Sequence, residues 1–208
     1  MQDDHLVRTT EQRILEAAKQ EFIAKGFAGA RTTSIAEKAG VTHAMLHYYF
    51  RTKEKLFDRI LLEVVGLLRK ILFSSVEEIE LPFDVMIRKL IERHFDFLVD
   101  NPDLPRFIIS EMNANPEKVW LFKEKIREYA PMFWGALQIK IDKAVEEGVC
   151  RRISAVNLVL DVVSLNLFVF MAPPVIKAAL GTDQDDYACF LAGRKEENVD
   201  TIMRKIRP

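Results

Sequence analysis

Residues 32–53 read TTSIAEKAGVTHAMLHYYFRTK, and their pattern is that of two short helices with an abrupt break between them. Ile35, Ala36 and Ala39 recur at helical spacing in the first piece, and Leu46 and Phe50 stand four apart in the second. Gly40 lies where the first helix has to stop, because glycine takes a positive φ without steric penalty. Thr42 follows as an N-cap whose hydroxyl can accept a backbone N–H of the next helix. The spacing predicts helices over Thr32–Ala39 and His43–Phe50 joined by Gly40, Val41 and Thr42. That is helix-turn-helix geometry, whose second helix is shaped to enter the major groove of DNA.

Working outward, Ile14, Ala18 and Phe22 share one stripe of a helix expected over Thr10–Lys25, with Gly26 as its stop signal. These side chains can close on Ile35, Ala36, Ala39, Val41, Leu46 and Phe50, so three helices share a small core. Tyr49 and Phe50 read as core residues, leaving His43, Ala44, Met45, His47 and Tyr48 to face outward. A fourth helix follows Arg51 and Thr52, its period carried by Leu56, Ile60, Val64, Leu67, Leu68 and Ile71 to about Ser75. Beyond Pro82 the breaks fall at Asn101-Pro102, Asn115-Pro116, Gly148, Pro173-Pro174 and Gly181, with Pro131 expected to kink a helix. No strict alternation interrupts this pattern. The expected fold is all-α: a helix-turn-helix head over residues 1–53 and a larger helical body over residues 54–208.

The net charge of −1 argues against nucleic acid only as an average. From His5 to Arg59 there are ten Lys/Arg against six Asp/Glu, whereas Ile60–Pro208 has twenty against twenty-three. Basic charge is therefore concentrated at the front, as a nucleic-acid-binding head requires. Hydrophobic residues make up 49% of the 208, enough to bury a substantial core. There is no apolar secretion signal, so a cytoplasmic chain with reduced thiols at Cys150 and Cys189 is expected. The uncharged stretch Val162–Ile176 falls short of the ~20 residues that span a bilayer, and it reads as a buried helix.

His43 and His47 stand four apart but lack a third neighbour with which to hold a metal. The two cysteines read as small hydrophobes and not as a redox switch, with only Arg151 and Arg152 as a cationic setting beside Cys150. The acidic runs Glu77-Glu78-Glu80 and Asp183-Asp185-Asp186 read as solvated surface. Phosphate-binding glycine loops, Gly-x-Ser-x-Gly and His-Glu-x-x-His are missing from the sequence, so no enzyme, metal or cofactor is expected.

Four stretches in order, Ile14–Ala18, Phe22–Phe27, Ile35–Thr42 and Tyr49–Leu56, resemble the DNA-binding domain of the TetR family of bacterial regulators. The resemblance implies that Thr42, His43, Met45 and Tyr48 contact bases or nearby phosphates. It places Lys53 against the backbone from a helix N-terminus, where a positive dipole end already favours an anion. Arg31 and Thr32 would grip phosphate at the start of the preceding helix. The chain departs from the family at His47, where a tyrosine usually contacts phosphate; imidazole can still donate a hydrogen bond, more strongly when protonated.

The resemblance further implies a homodimer that reads a palindromic operator, paired through a seam that includes Ser154–Ala172 and Gln184–Arg204. Leu158, Val159, Val162, Val163, Leu165, Phe168 and Val169 make the first of these too apolar all round for a lone surface helix. By the same analogy the body holds an unknown, mainly apolar small-molecule effector. Candidate lining residues are His94, Phe97, Met112, Trp120, Phe133, Trp134 and Asn166, with Phe95, Phe107 and Asn113 beside them. A repressor released by its ligand is the expected function. An activator would share this sequence, and a helical carrier or enzyme that uses only the body is the rival reading.

Overall fold

The computed structural model describes residues 9–77, 81–181 and 184–208. Within them the chain forms ten α-helices and no strand: α1 Thr10–Gly29, α2 Thr32–Lys38, α3 His43–Phe50, α4 Lys53–Glu77, α5 Phe83–Asp100, α6 Leu104–Ala114, α7 Trp120–Glu146, α8 Ala155–Met171, α9 Pro173–Leu180 and α10 Gln184–Ile206. The all-α expectation holds, and the expected breaks separate the helices. α7 stays helical on both sides of Pro131. Of the two acidic runs Asp186 is exposed, and Glu78, Glu80 and Asp183 lie outside the described residues. The chain divides into two compact units, residues 1–65 with 107–125 and residues 66–106 with 126–208.

In the first unit, Thr9 opens α1 with a reciprocal cap: its Oγ1 accepts the Gln12 N–H at 3.2 Å, and Gln12 Oε1 accepts the Thr9 N–H at 2.9 Å. Gly26 does break the helix, at φ 66° and ψ 174°, but one more helical turn follows before Ala30 ends the element. The end of α2 is a Schellman turn. Gly40 N–H donates to Glu37 C=O at 3.0 Å and Val41 N–H to Ala36 C=O at 3.0 Å, with Gly40 at φ 64°.

Thr42 caps α3 as its position predicts, its hydroxyl accepting the Met45 N–H at 3.2 Å. Ile14, Ala18, Phe22, Ile35, Ala36, Ala39, Leu46 and Phe50 are buried together with Leu56, Phe57, Ile60 and Leu61 of α4, while Val41 is half-buried. Phe57 is the centre of an aromatic cluster, 5.1 Å from Phe22, 5.0 Å from Phe27 and 5.9 Å from Phe107 between ring centroids.

Glu21 is the charged exception in this core. Its carboxylate has no exposed surface and accepts from Lys25 Nζ at 2.7 Å, Lys38 Nζ at 2.7 Å and Ser34 Oγ at 3.1 Å, binding α1 to α2. Those two lysines hold its pKa down to about 2, against an ordinary 4.5, although burial alone would raise it. The stabilisation is present above the ordinary value and is lost as pH falls towards the depressed one. Glu21→Gln is expected to cost about 2 kcal/mol at neutral pH. The difference from wild type should shrink as urea melts are repeated from pH 4.5 down towards about 2; a pH-independent difference would contradict this account.

In the second unit α5, α8 and α10 pack on one another. Ile91 of α5, Val162 of α8 and Val199 of α10 meet Phe133 and Leu137 of α7 in one apolar cluster, and Phe95, Leu98, Val169 and Phe170 form a second. Val162–Ile176 is not one buried helix. Ala172, followed by two prolines that cannot donate to the helix ladder, ends α8, and α9 leaves at 76° with no buried residue. α8 also keeps an exposed apolar face, with Val156, Leu160 and Phe168 at 42%, 55% and 62% exposure. Among the described residues no single helix is long and apolar enough to cross a membrane.

Candidate nucleic-acid interface

The surface of α3 is built by what its core stripe leaves over. Leu46 and Phe50, one turn apart, take the buried side, so the remaining residues of this short helix stand outside. His43, Met45, His47 and Tyr48 are all exposed, Tyr48 at 82%. Tyr49 is a correction to the expectation of core: at 43% exposure it flanks the buried stripe, and its ring meets the Tyr48 ring edge-on at 5.5 Å.

His43 and His47 lie on one side of α3, ring centroids 4.4 Å apart and planes at 88°. The His43 Nε2 is 2.9 Å from Thr32 Oγ1, which joins the start of α3 to the start of α2. Arg31, exposed, stands at the N-cap position of α2 and makes no side-chain cap. The first turn of α4 is capped by Thr52, whose Oγ1 accepts the Lys55 N–H at 3.2 Å. Lys53 leans over the Phe27 ring, 4.7 Å from its centroid, and its Nζ donates to Ala28 C=O at 3.4 Å. Lys118 lies 4.9 Å from the same ring.

Arg31, Thr32, Thr42, His43, Met45, His47, Tyr48 and Lys53 thus lie in one compact unit, on α2, α3, their caps and the first turn of α4. The seven candidate effector residues divide between the two units. Met112, half-buried, and exposed Trp120 belong to the first unit, whereas His94, Phe97, Phe133, Trp134 and Asn166 belong to the second. Phe133 is fully buried and packs on Trp134 at 5.2 Å between centroids. Phe97 packs against the cluster around Phe95.

His94 and Asn166 do meet, in a buried polar chain. The Asn166 side-chain amide donates to Ile91 C=O at 3.0 Å and lies 3.1 Å from His94 Nδ1, and Asn198 donates to Asn166 Oδ1 at 2.9 Å. Burial holds the His94 imidazole well below its ordinary range, at about 4. Asn198 sits in the polar run of α10, where the sequence pattern gives no sign of its burial. Cys150 is buried and its thiol pKa is pushed up by desolvation, against a reactive role; Cys189 is exposed.

Comparison with known families accounts for both units of the chain. The family described as "Bacterial regulatory proteins, tetR family" matches residues 14–60, and "Tetracyclin repressor-like, C-terminal domain" matches residues 84–202. The chain belongs to the TetR family. Among curated relatives it is similar to the HTH-type transcriptional regulator RutR of Escherichia coli, 32% identical over 108 residues, covering 52% of this chain and 50% of RutR. It is similar also to the transcriptional repressor NicS of Pseudomonas putida, 30% identical over 107 residues, covering 49% and 48%. These matches span about half the length of each relative. Among solved structures, the fatty acid degradation regulator FadR of Bacillus halodurans superposes with a TM-score of 0.66 at 19% identity, covering 94% of this chain and 95% of that one. At that identity the likeness is one of fold.

Proposed function

We propose that this chain is a dimeric, cytoplasmic transcriptional repressor that reads a two-fold symmetric DNA operator with α3 and releases it when a mainly apolar small molecule enters the body. The observation that carries the reading is the outer surface of α3, where Met45 and Tyr48 stand exposed with His43 and His47 beside them. A short capped helix held by one buried stripe, with large side chains exposed at its free face, is what major-groove reading requires. Residues 1–53 serve as the reading head and residues 54–208 as the sensing and pairing body. The exposed Val156, Leu160 and Phe168 of α8 follow a helical stripe, which supports pairing through the seam 154–172 and 184–204. The basic bias of the front of the chain supports phosphate contact by Arg31, Thr32 and Lys53.

The salt dependence of binding tests the phosphate role directly. Lys53→Ala is expected to weaken binding to every duplex alike and to reduce the slope of log affinity against log salt by about one. Gel-shift titrations at several salt concentrations measure this. An unchanged slope would show that Lys53 stays on Phe27 and Ala28 when DNA binds.

A further inference from the structure

The turn after α3 decides what His47 has to offer. Arg51 takes φ 58° and ψ −52°, and the Thr52 N–H donates across it to Phe50 C=O at 2.6 Å, a γ-turn of the kind that is strained for any residue with a Cβ. In this conformation the Arg51 carbonyl lies 2.8 Å from the Nδ1 of His47. A carbonyl oxygen can only accept, so Nδ1 carries the proton, and in a neutral imidazole the other nitrogen, Nε2, is then an acceptor. The ring is fixed on its other side by the edge-on contact with His43, which is itself tied to Thr32. Nε2 has no partner among the described residues, and the side chain is exposed.

A phosphate oxygen brings only lone pairs, so it gains nothing from a second acceptor. The major groove does present donors, the exocyclic amines of adenine and cytosine. We propose that His47 is a base-reading residue, whose neutral Nε2 accepts a hydrogen bond from one such amine in each half-site. The proposal rests on α3 being the major-groove helix, and it reverses the phosphate role that a tyrosine at this position would have.

The test uses the full chain and the consensus that wild type selects from a randomised duplex pool, at about pH 8, where free imidazole is neutral. His47→Ala should lose its preference at one A·T or G·C position per half-site. Replacing the amine-bearing base there with its analogue lacking the amine, purine in the case of adenine, should weaken wild type about fivefold, one hydrogen bond's worth, and leave His47→Ala unchanged. The analogue leaves the protein untouched, so it reports even if the variant fails to fold. A merely structural role for His47 in the turn would make wild type indifferent to the analogue, which overturns the proposal. So would a uniform loss in His47→Ala with a salt slope shallower by about one, the mark of a phosphate contact. If wild type selects no consensus, the reading of α3 itself fails, and this proposal falls with it.

Discussion

Gly26→Ala is expected to destabilise the first unit by about 3 kcal/mol or more and to lower the melting midpoint by roughly 10 °C. Two independent effects add at this position. Its φ of 66° with ψ of 174° lies in a region that is essentially closed to residues with a Cβ. A Cβ there would also stand 2.9 Å from Glu111 Oε1, the oxygen that accepts the Phe27 N–H at 2.8 Å. Glu111 is buried and its second oxygen is held by Asn115 at 2.9 Å, so the carboxylate cannot step aside without leaving a buried N–H unpaired. Gly66 is the control. It lies in the middle of α4 with nothing within 4 Å of an added Cβ, and Gly66→Ala should raise stability by up to about 1 kcal/mol. Equal effects of the two substitutions in thermal melts would contradict this account of the kink.

The second large effect lies in the buried chain of His94, Asn166 and Asn198. Asn166→Ala removes the group that both other side chains bond, leaving His94 Nδ1 and the Asn198 amide buried and unpaired, and is expected to cost about 3 kcal/mol. The same chain makes stability pH-dependent. The folded protein holds His94 neutral down to about 4, while the unfolded chain takes up a proton near the ordinary 6.5. The contribution is therefore complete above the ordinary value and is lost as pH falls towards the depressed one, on the order of 3 kcal/mol across that window. This window lies above the one in which Glu21 loses its contribution, so the two are separable. His94→Gln should flatten the stability profile between pH 6.5 and about 4 and leave the Glu21 window alone; a profile unchanged by His94→Gln would contradict the assignment.

These two sites also mark where the sequence stops being legible. The helix-turn-helix was readable because its signals are local: Gly40 stops a helix and Thr42 caps one within a few residues of the side chains they position. Gly26 was legible as a stop signal, but not the helical turn that follows it, which depends on a carboxylate 84 positions away from Phe27. Glu21 reads in the sequence as one more surface charge of α1, because only the packing of α2 brings Lys38 to it. Tyr49 was misread because periodicity over eight residues places the stripe well and its flanks poorly. Asn198 appears within a polar run, and only the crossing of α5, α8 and α10 makes it a core residue. The candidate effector residues belong to both compact units, and aromatic content alone does not separate a pocket lining from ordinary core.

The central claim is that α3 reads base sequence, and the most direct measurement is selection of binding sites from a randomised duplex pool by wild type and by the Met45→Ala/Tyr48→Ala double variant. Wild type should select a two-fold symmetric consensus with half-site centres about 34 Å apart, and the double variant should lose that consensus while keeping weak, salt-sensitive binding. Failure of wild type to enrich any sequence at low salt, or the same consensus selected by both proteins, would contradict it.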